Sequence, residues 1–162
     1  MIKIEPYRKV YQEQVAKLVL DIQQNEFRIP IELKDQPDLQ DVETFYGTGS
    51  SNFWVAIDDT KVVGTIALID IGNRQVCLRK MFVHKEYRGG SMGVALLLLD
   101  RFIEWCREKG IGEIYLGTID ILTAAQKFYL KHGFMVVDKT SLPENFPLML
   151  VDNLFFKLLI TG

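Results

Sequence analysis

Residues 83–100 read VHKEYRGGSMGVALLLLD, which places Arg88, Gly89, Gly90, Ser91, Met92 and Gly93 directly ahead of an aliphatic run. That order could do chemistry. A helix start leaves its first backbone N–H groups without partners, and the helix dipole makes that end locally positive. Glycines just before it let the chain curl so that several N–H groups converge, with no Cβ to keep a ligand away. A phosphate or diphosphate is the natural occupant of such a corner. The same residues also read as an ordinary glycine turn capped by Ser91, and composition alone leaves both readings open. Spacing excludes two other phosphate loops. There is no GxxxxGK followed by Ser or Thr, and no GxGxxG opening a βαβ unit with a ribose-binding acid. The glycine-rich GTGSSN at 47–52 precedes a strand, so it reads as a loop.

These residues need a scaffold, and periodicity supplies one. Ile2 to Tyr7 alternates as a strand. From about Val10 the spacing turns helical, with Tyr11, Val15, Leu18, Val19 and Ile22 on one face and Pro30 as a stop. A short second helix is expected from Pro37 through Leu39, Val42 and Phe45, ending at Gly47. Phe53–Ile57, Val62–Asp70 and Gln75–Val83 read as an antiparallel meander, turned at Asp58-Asp59-Thr60 and at Gly72-Asn73. A long helix is expected from about Ser91 to Lys109, with Val94, Leu97, Leu98, Phe102, Trp105 and Cys106 inward and Gly110 at its end. A strand over Glu113–Gly117, a helix through Ala124, Ala125, Phe128 and Tyr129, and strands Phe134–Val137 and Leu154–Ile160 complete the order. His132 in the last helical turn suits the negative end of the dipole, and Gly133 stops the helix. The pattern predicts one mixed α/β domain over residues 1–162.

Bulk properties narrow the function classes. The 162 residues carry 48% hydrophobic and 25% charged side chains with a formal charge of −2, an ordinary globular balance. Interspersed charge argues against a nucleic-acid partner. The apolar run Val94–Leu99 is too short to cross a bilayer, and the N-terminal MIKIEPYRKVYQEQ lacks a signal-peptide core, so no membrane partner and a cytoplasmic location are expected. Cys77 and Cys106 lack metal-ligand spacing, and only His84 and His132 could join them. Two buried reduced thiols and no metal are expected.

The segment MFVHKEYRGGSMGVALL resembles the acetyl-CoA-binding segment of the GNAT acyltransferase superfamily, in which a strand ending in an M-x-V triplet leads into Y-R-G-x-G-x-G/A at a helix start. AAQKFYLKHGF at 124–134 is similar to the second signature, A-x-x-F/L-Y-x-x-x-G-F. The order of elements agrees over nearly the whole chain. This resemblance implies a mostly antiparallel sheet of about seven strands with splayed central strands, flanked by about four helices. It implies acetyl-CoA as cosubstrate, with its diphosphate on the N–H groups of residues 88–93 and Arg88 adding a charged contact. Pantetheine amides would pair with the backbone of Met81 and Val83, and Phe82, Val94, Ala125, Phe128 and Tyr129 complete the expected cofactor contacts.

The implied reaction is acetyl transfer to a primary amine of a small or amino-acid-like acceptor, by direct attack in a ternary complex. Protein lysine or N-terminal acetylation, and a catalytically silent CoA-binding module, are the alternatives. The Val83 N–H would hold the oxyanion, and Tyr129 would protonate the leaving sulfur. By residue type alone Phe128 and Tyr129 read as core aromatics. The general base is open, a water-mediated one included. Many relatives place a carboxylate two or four residues before the triplet, where this chain has Arg79 with Cys77 nearby, and Glu26 and His84 qualify as bases by type only. Arg79 would attract a carboxylate-bearing acceptor, or else is a surface charge on a meander strand. Glu26, Phe27, Arg79 and Phe146 are the candidate acceptor contacts. Ser91 stands where the family has glycine, a substitution costing about 1 kcal/mol if the position needs φ > 0. Leu122 replaces an asparagine that many members carry. The apolar final strand LFFKLLI could pair with a second copy, so a monomer or a homodimer is expected.

Overall fold

A computed structural model describes residues 1–89 and 92–161. Seven strands form one sheet: β1 (Ile2–Pro6), β2 (Asn52–Asp58), β3 (Lys61–Gly72), β4 (Gln75–Val83), β5 (Glu113–Thr118), β6 (Met135–Val137) and β7 (Leu154–Leu159). Their order is β1-β2-β3-β4-β5-β7-β6. All neighbours run antiparallel except β4 and β5. Among the described residues five α-helices accompany them: α1 (Gln12–Leu20), α2 (Pro37–Gln40), α3 (Val42–Phe45), α4 (Val94–Glu108) and α5 (Thr123–Lys131).

Alternation along the strands builds two cores. Trp54 and Ala56 face α4, packing with Leu98, Leu99, Phe102 and Cys106. Phe53, Val55 and Ile57 point the other way, onto Tyr11, Val15, Leu18, Val19 and Ile22 around α1. All five expected α1-face residues are buried. Burying one such large side chain is worth roughly 1.5–3 kcal/mol, so the amphipathic pattern alone determines on which side each helix docks.

Three expectations change. The single helix over Pro37–Gly47 is two, because Asp41 leaves helical geometry at φ −149° and ψ 79° and its side chain accepts from the Thr44 N–H at 3.2 Å. Aspartate competes for backbone donors in this way and starts helices better than it continues them. Leu97 is 42% exposed rather than inward, and Leu99 takes the buried place; the stripe Val94, Leu98, Leu99, Phe102, Cys106 leaves Leu97 to one side. Finally, β7 is covered on both edges, by β5 and by β6. Its backbone from Phe155 to Lys157 is therefore closed to a second copy, and β6 is the edge strand at that end of the sheet.

The feature that positions the site is a local failure of pairing. β4 and β5 meet only at Gln75–Glu113, Val76–Ile114 and Cys77–Tyr115. Beyond Cys77 the two strands part. The cause lies in β4 itself, where the register against β3 slips between Thr65 and Ala67, setting Lys80 and Met81 against Ile66 alone. Lys80 takes φ +49°, and its carbonyl accepts a 2.6 Å hydrogen bond from the Thr65 hydroxyl. A bulge of this kind bends the strand that carries it and ends its pairing on the far side.

Candidate functional site

Two cavities open from the gap between β4 and β5, and they share Met81, Phe82, Leu122, Ala125 and Tyr129. The larger is a groove of about 610 Å³ running toward the start of α4. The smaller, about 120 Å³, lies under the loop that precedes β7.

Backbone makes the groove. His84 N–H bonds Val63 O at 2.8 Å, so by strand alternation the Val83 N–H turns away from β3, into the gap. Gly89 and Gly93 both adopt left-handed backbone, at φ +67° and +57°, which an L side chain would strain. Gly93 caps α4, and the first bond of that helix is Leu97 N–H to Gly93 O at 3.0 Å. The N–H groups of Val94, Ala95 and Leu96 thus have no intrahelical acceptor. They stand at the positive end of a fifteen-residue helix with no acid in its first turn. A diphosphate fits this donor set. Gly90 and Ser91, including the expected Ser91 cap or strain, lie outside the described residues. Met92 is half exposed beside the cap.

Arg88 sits at the groove with its donors engaged. Its Nε donates to Val83 O at 2.7 Å, and its two terminal nitrogens grip both carboxylate oxygens of Glu26, which that bond holds below the usual carboxylate range. Its guanidinium lies 5.8 Å from the Phe27 ring. Glu26 and Phe27 therefore belong to the groove side, whereas Arg79 and Phe146 line the smaller chamber. His84 lines neither cavity; its Nδ1 accepts from the Glu86 N–H at 3.1 Å, a structural turn contact.

Charged side chains make the chamber. Arg79 is no surface charge: its side chain is 11% exposed and that of Lys80 is 6% exposed. Both face Asp38 Oδ2, at 3.8 and 3.4 Å, and Tyr46 donates to the same oxygen at 2.6 Å. Burial lowers the Lys80 ammonium from its ordinary range although Asp38 opposes the shift. Two cations share the buried carboxylate of Asp38, and both also feel the Asp152 carboxylate across the chamber. Gln23, which exchanges two hydrogen bonds with Gln36 at 3.0 and 2.9 Å, also lines the chamber.

Tyr129 stands where the cavities meet. Its ring packs on Phe134 and Phe156 at 5.5 and 5.6 Å, so it is a core aromatic as its spacing suggests. Its hydroxyl has no hydrogen-bond partner among the described residues, and burial pushes its pKa well above the ordinary phenol range, leaving the phenol protonated. Both thiols are free and buried as expected, each pushed by burial to about 12. Among the described residues no group of three His, Cys, Asp or Glu could hold a metal, and no helix is long and apolar enough to cross a membrane.

Sequence reasoning missed Asp38, Lys80, Gly117 and Asp152. A lone glycine inside a strand, as Gly117 is in β5, signals close approach of another group. Nothing in the residue pattern marks the two aspartates.

Comparison with known proteins shows what the chain is similar to. A model of the Acetyltransferase (GNAT) family matches residues 16–134. The N-acetylaspartate synthetase of Xenopus tropicalis is 36% identical over 128 residues, which cover 75% of this chain and 45% of that protein. The chain spans less than half the length of such curated relatives. A GNAT-family acetyltransferase from Staphylococcus aureus Mu50 is 41% identical with a TM-score of 0.96, over 99% of this chain and all of the other. The PaiA N-acetyltransferase of Thermoplasma acidophilum, solved in complex with coenzyme A, shares the fold at 19% identity and a TM-score of 0.72, over 99% of each chain.

Proposed function

The chain belongs to the GNAT acetyltransferase family, and from that premise we propose that it moves an acetyl group from acetyl-CoA to the primary amine of a small, carboxylate-bearing acceptor. The observation that carries this reading is the pair of cavities meeting at Tyr129. One is shaped by backbone donors for a diphosphate and an extended pantetheine arm, the other by buried side chains of both charges.

Acetyl-CoA supplies the activated acyl group. The N–H groups at the start of α4 hold its diphosphate, with Gly93 keeping the approach open. The free edge of β4 after Cys77 offers main-chain partners to amides lying in the gap. There the Val83 N–H is placed to stabilise charge developing on the carbonyl oxygen, and a donor fixed in a water-poor cleft is worth about 10²-fold or more in rate. Tyr129 keeps its proton at neutral pH and can hydrogen-bond or protonate the departing sulfur.

The acceptor preference comes from Arg79 and Lys80. Both are fixed cations buried beside the chamber, and a guanidinium so placed can pair with a carboxylate that the acceptor brings. The relative named N-acetylaspartate synthetase supports the same class, since aspartate is an amine that carries carboxylates. The small volume of the chamber favours this over a protein lysine. The test is free-thiol release from acetyl-CoA with L-aspartate, L-glutamate, glycine and their carboxylate-free amine counterparts. Turnover confined to acceptors with a carboxylate is expected; equal turnover of the carboxylate-free amines overturns the acceptor class. No turnover alongside tight CoA binding would favour the silent module.

A further inference from the structure

Within the acetyl-transfer reading above, on which this inference rests, we propose that Asp152 is the catalytic base that takes a proton from the acceptor's ammonium group. Among the described residues it is the only acid lining the chamber that also holds Tyr129, Arg79 and Lys80. It comes from the loop ahead of β7, far in sequence from either glycine or tyrosine signature.

Its placement is built from both sides. Asp152 N–H bonds Met149 O at 3.1 Å, and the next residue, Asn153, is clamped to the end of β5. There the Asn153 N–H donates to Thr118 O at 2.9 Å, and its side-chain oxygen accepts from the Asp120 N–H at 2.9 Å. This seats the carboxylate against Gly117. A Cβ at Gly117 would lie 2.6 Å from Asp152 Oδ2 and 3.1 Å from the Phe155 ring, so only glycine leaves the carboxylate its room. Neither carboxylate oxygen receives a hydrogen bond from the described residues, which leaves both lone-pair sets free for a ligand.

The surroundings give it the basicity the task needs. Burial pushes its pKa up to about 6, against the pull of Lys80 and then Arg79 on β4. The other titratable groups facing it, Cys77 on β4 and Tyr129 on α5, are both pushed up by burial and are neutral at pH 7. At neutral pH Asp152 is therefore ionised, yet a stronger base than an ordinary carboxylate. The other acids are committed: Glu26 is held by Arg88, and Asp38 by Tyr46 and Lys80.

Asp152 accepts one proton from R–NH3+, and the nitrogen lone pair so freed forms the N–C bond to the thioester carbon. The C–S bond then breaks with its electron pair leaving on sulfur. A second nitrogen proton replaces the one Tyr129 gives that sulfur, leaving the amide and the free thiol. Asp152 later releases its proton to solvent.

Three measurements test this on the full chain. In protein labelled with 13C-aspartate, the resonance lost in Asp152→Asn should titrate near pH 6; titration in the ordinary aspartate range overturns the proposal. With L-aspartate and saturating acetyl-CoA, kcat of the wild type should rise through the same pH. Asp152→Asn should lose about 100-fold at pH 7 and lose that rising limb, with CoA affinity unchanged. Gly117→Ala, which displaces the carboxylate by another route, should copy that profile while circular dichroism stays native. A uniform fall in rate that keeps the wild-type limb refutes Asp152 as base and leaves the acetyl-transfer reading standing. A wild type that releases no thiol with any acceptor sinks both.

Discussion

The groove and the chamber differ in what they are made of. The groove is main chain: two left-handed glycines, three N–H groups without an intrahelical acceptor at a helix start, and a strand edge freed by a bulge. The chamber is side chains gathered from β4, α5 and the loop ahead of β7, with buried charges of both signs. A site of the first kind tolerates most side chains but demands a few backbone geometries. One of the second kind depends on the identity of each side chain while leaving the backbone free. The two should therefore respond to different substitutions, and the experiments that separate them can be ranked.

The largest effect is expected at Gly93. Gly93→Val puts a branched side chain at φ +57° and over the mouth of the amide cluster. Loss of two charged hydrogen bonds there should weaken CoA binding by more than about 100-fold. Titration calorimetry would show it, and near-wild-type affinity would mean the groove is not backbone-made. Next comes Tyr129→Phe, at the junction, which should lower kcat by about 100-fold and leave affinity for both substrates nearly intact. An unchanged kcat removes the hydroxyl from the chemistry and returns Tyr129 to the core alone. Arg79→Met should act on one side only. Asp38 keeps Lys80 and Tyr46, so the fold should survive while KM for a carboxylate acceptor rises about 30-fold, near 2 kcal/mol. A matching loss of CoA affinity would blur the division between the two cavities.

How well each region could be read from the chain follows from the same contrast. Positive φ values and close approach require glycine, and glycines ahead of an aliphatic run can be seen in a single sequence, so Gly89, Gly93 and the helix they open were legible. Helical and alternating periodicity identified the α1 face and the ends of β4 for the same reason: one side of each element is buried and the other is not. Lys80 was illegible because its burial depends on a bulge, which breaks the alternation on which strand reading rests. Asp38 and Asp152 were illegible because an aspartate, in the first turn of a short helix or in a loop, usually meets water. Only the folded chain shows that one faces two buried cations and that the other lies against Gly117. The break at Asp41 and the exposure of Leu97 are smaller failures, where a local cap and a slightly different stripe outweighed the average pattern.

The smallest effect concerns stability. A folded-state carboxyl with pKa near 6, above its unfolded value of about 3.9, stabilises the fold fully below pH 4, and that contribution is lost as pH rises through about 6. Asp152→Asn lacks this dependence. Relative to wild type its melting temperature should rise between pH 4 and pH 7, by a few degrees for a chain of this size. A difference that stays flat across that window would mean that Asp152 is not held away from solvent.

Acetyl-CoA placement is the claim on which the division into groove and chamber depends. A crystal structure of the chain grown with CoA tests it most directly. The account requires diphosphate oxygens within hydrogen-bonding distance of the Val94, Ala95 or Leu96 amides and the sulfur beside the Tyr129 hydroxyl. A diphosphate bound away from α4, or a sulfur on the far side of β4 from Tyr129, would contradict it.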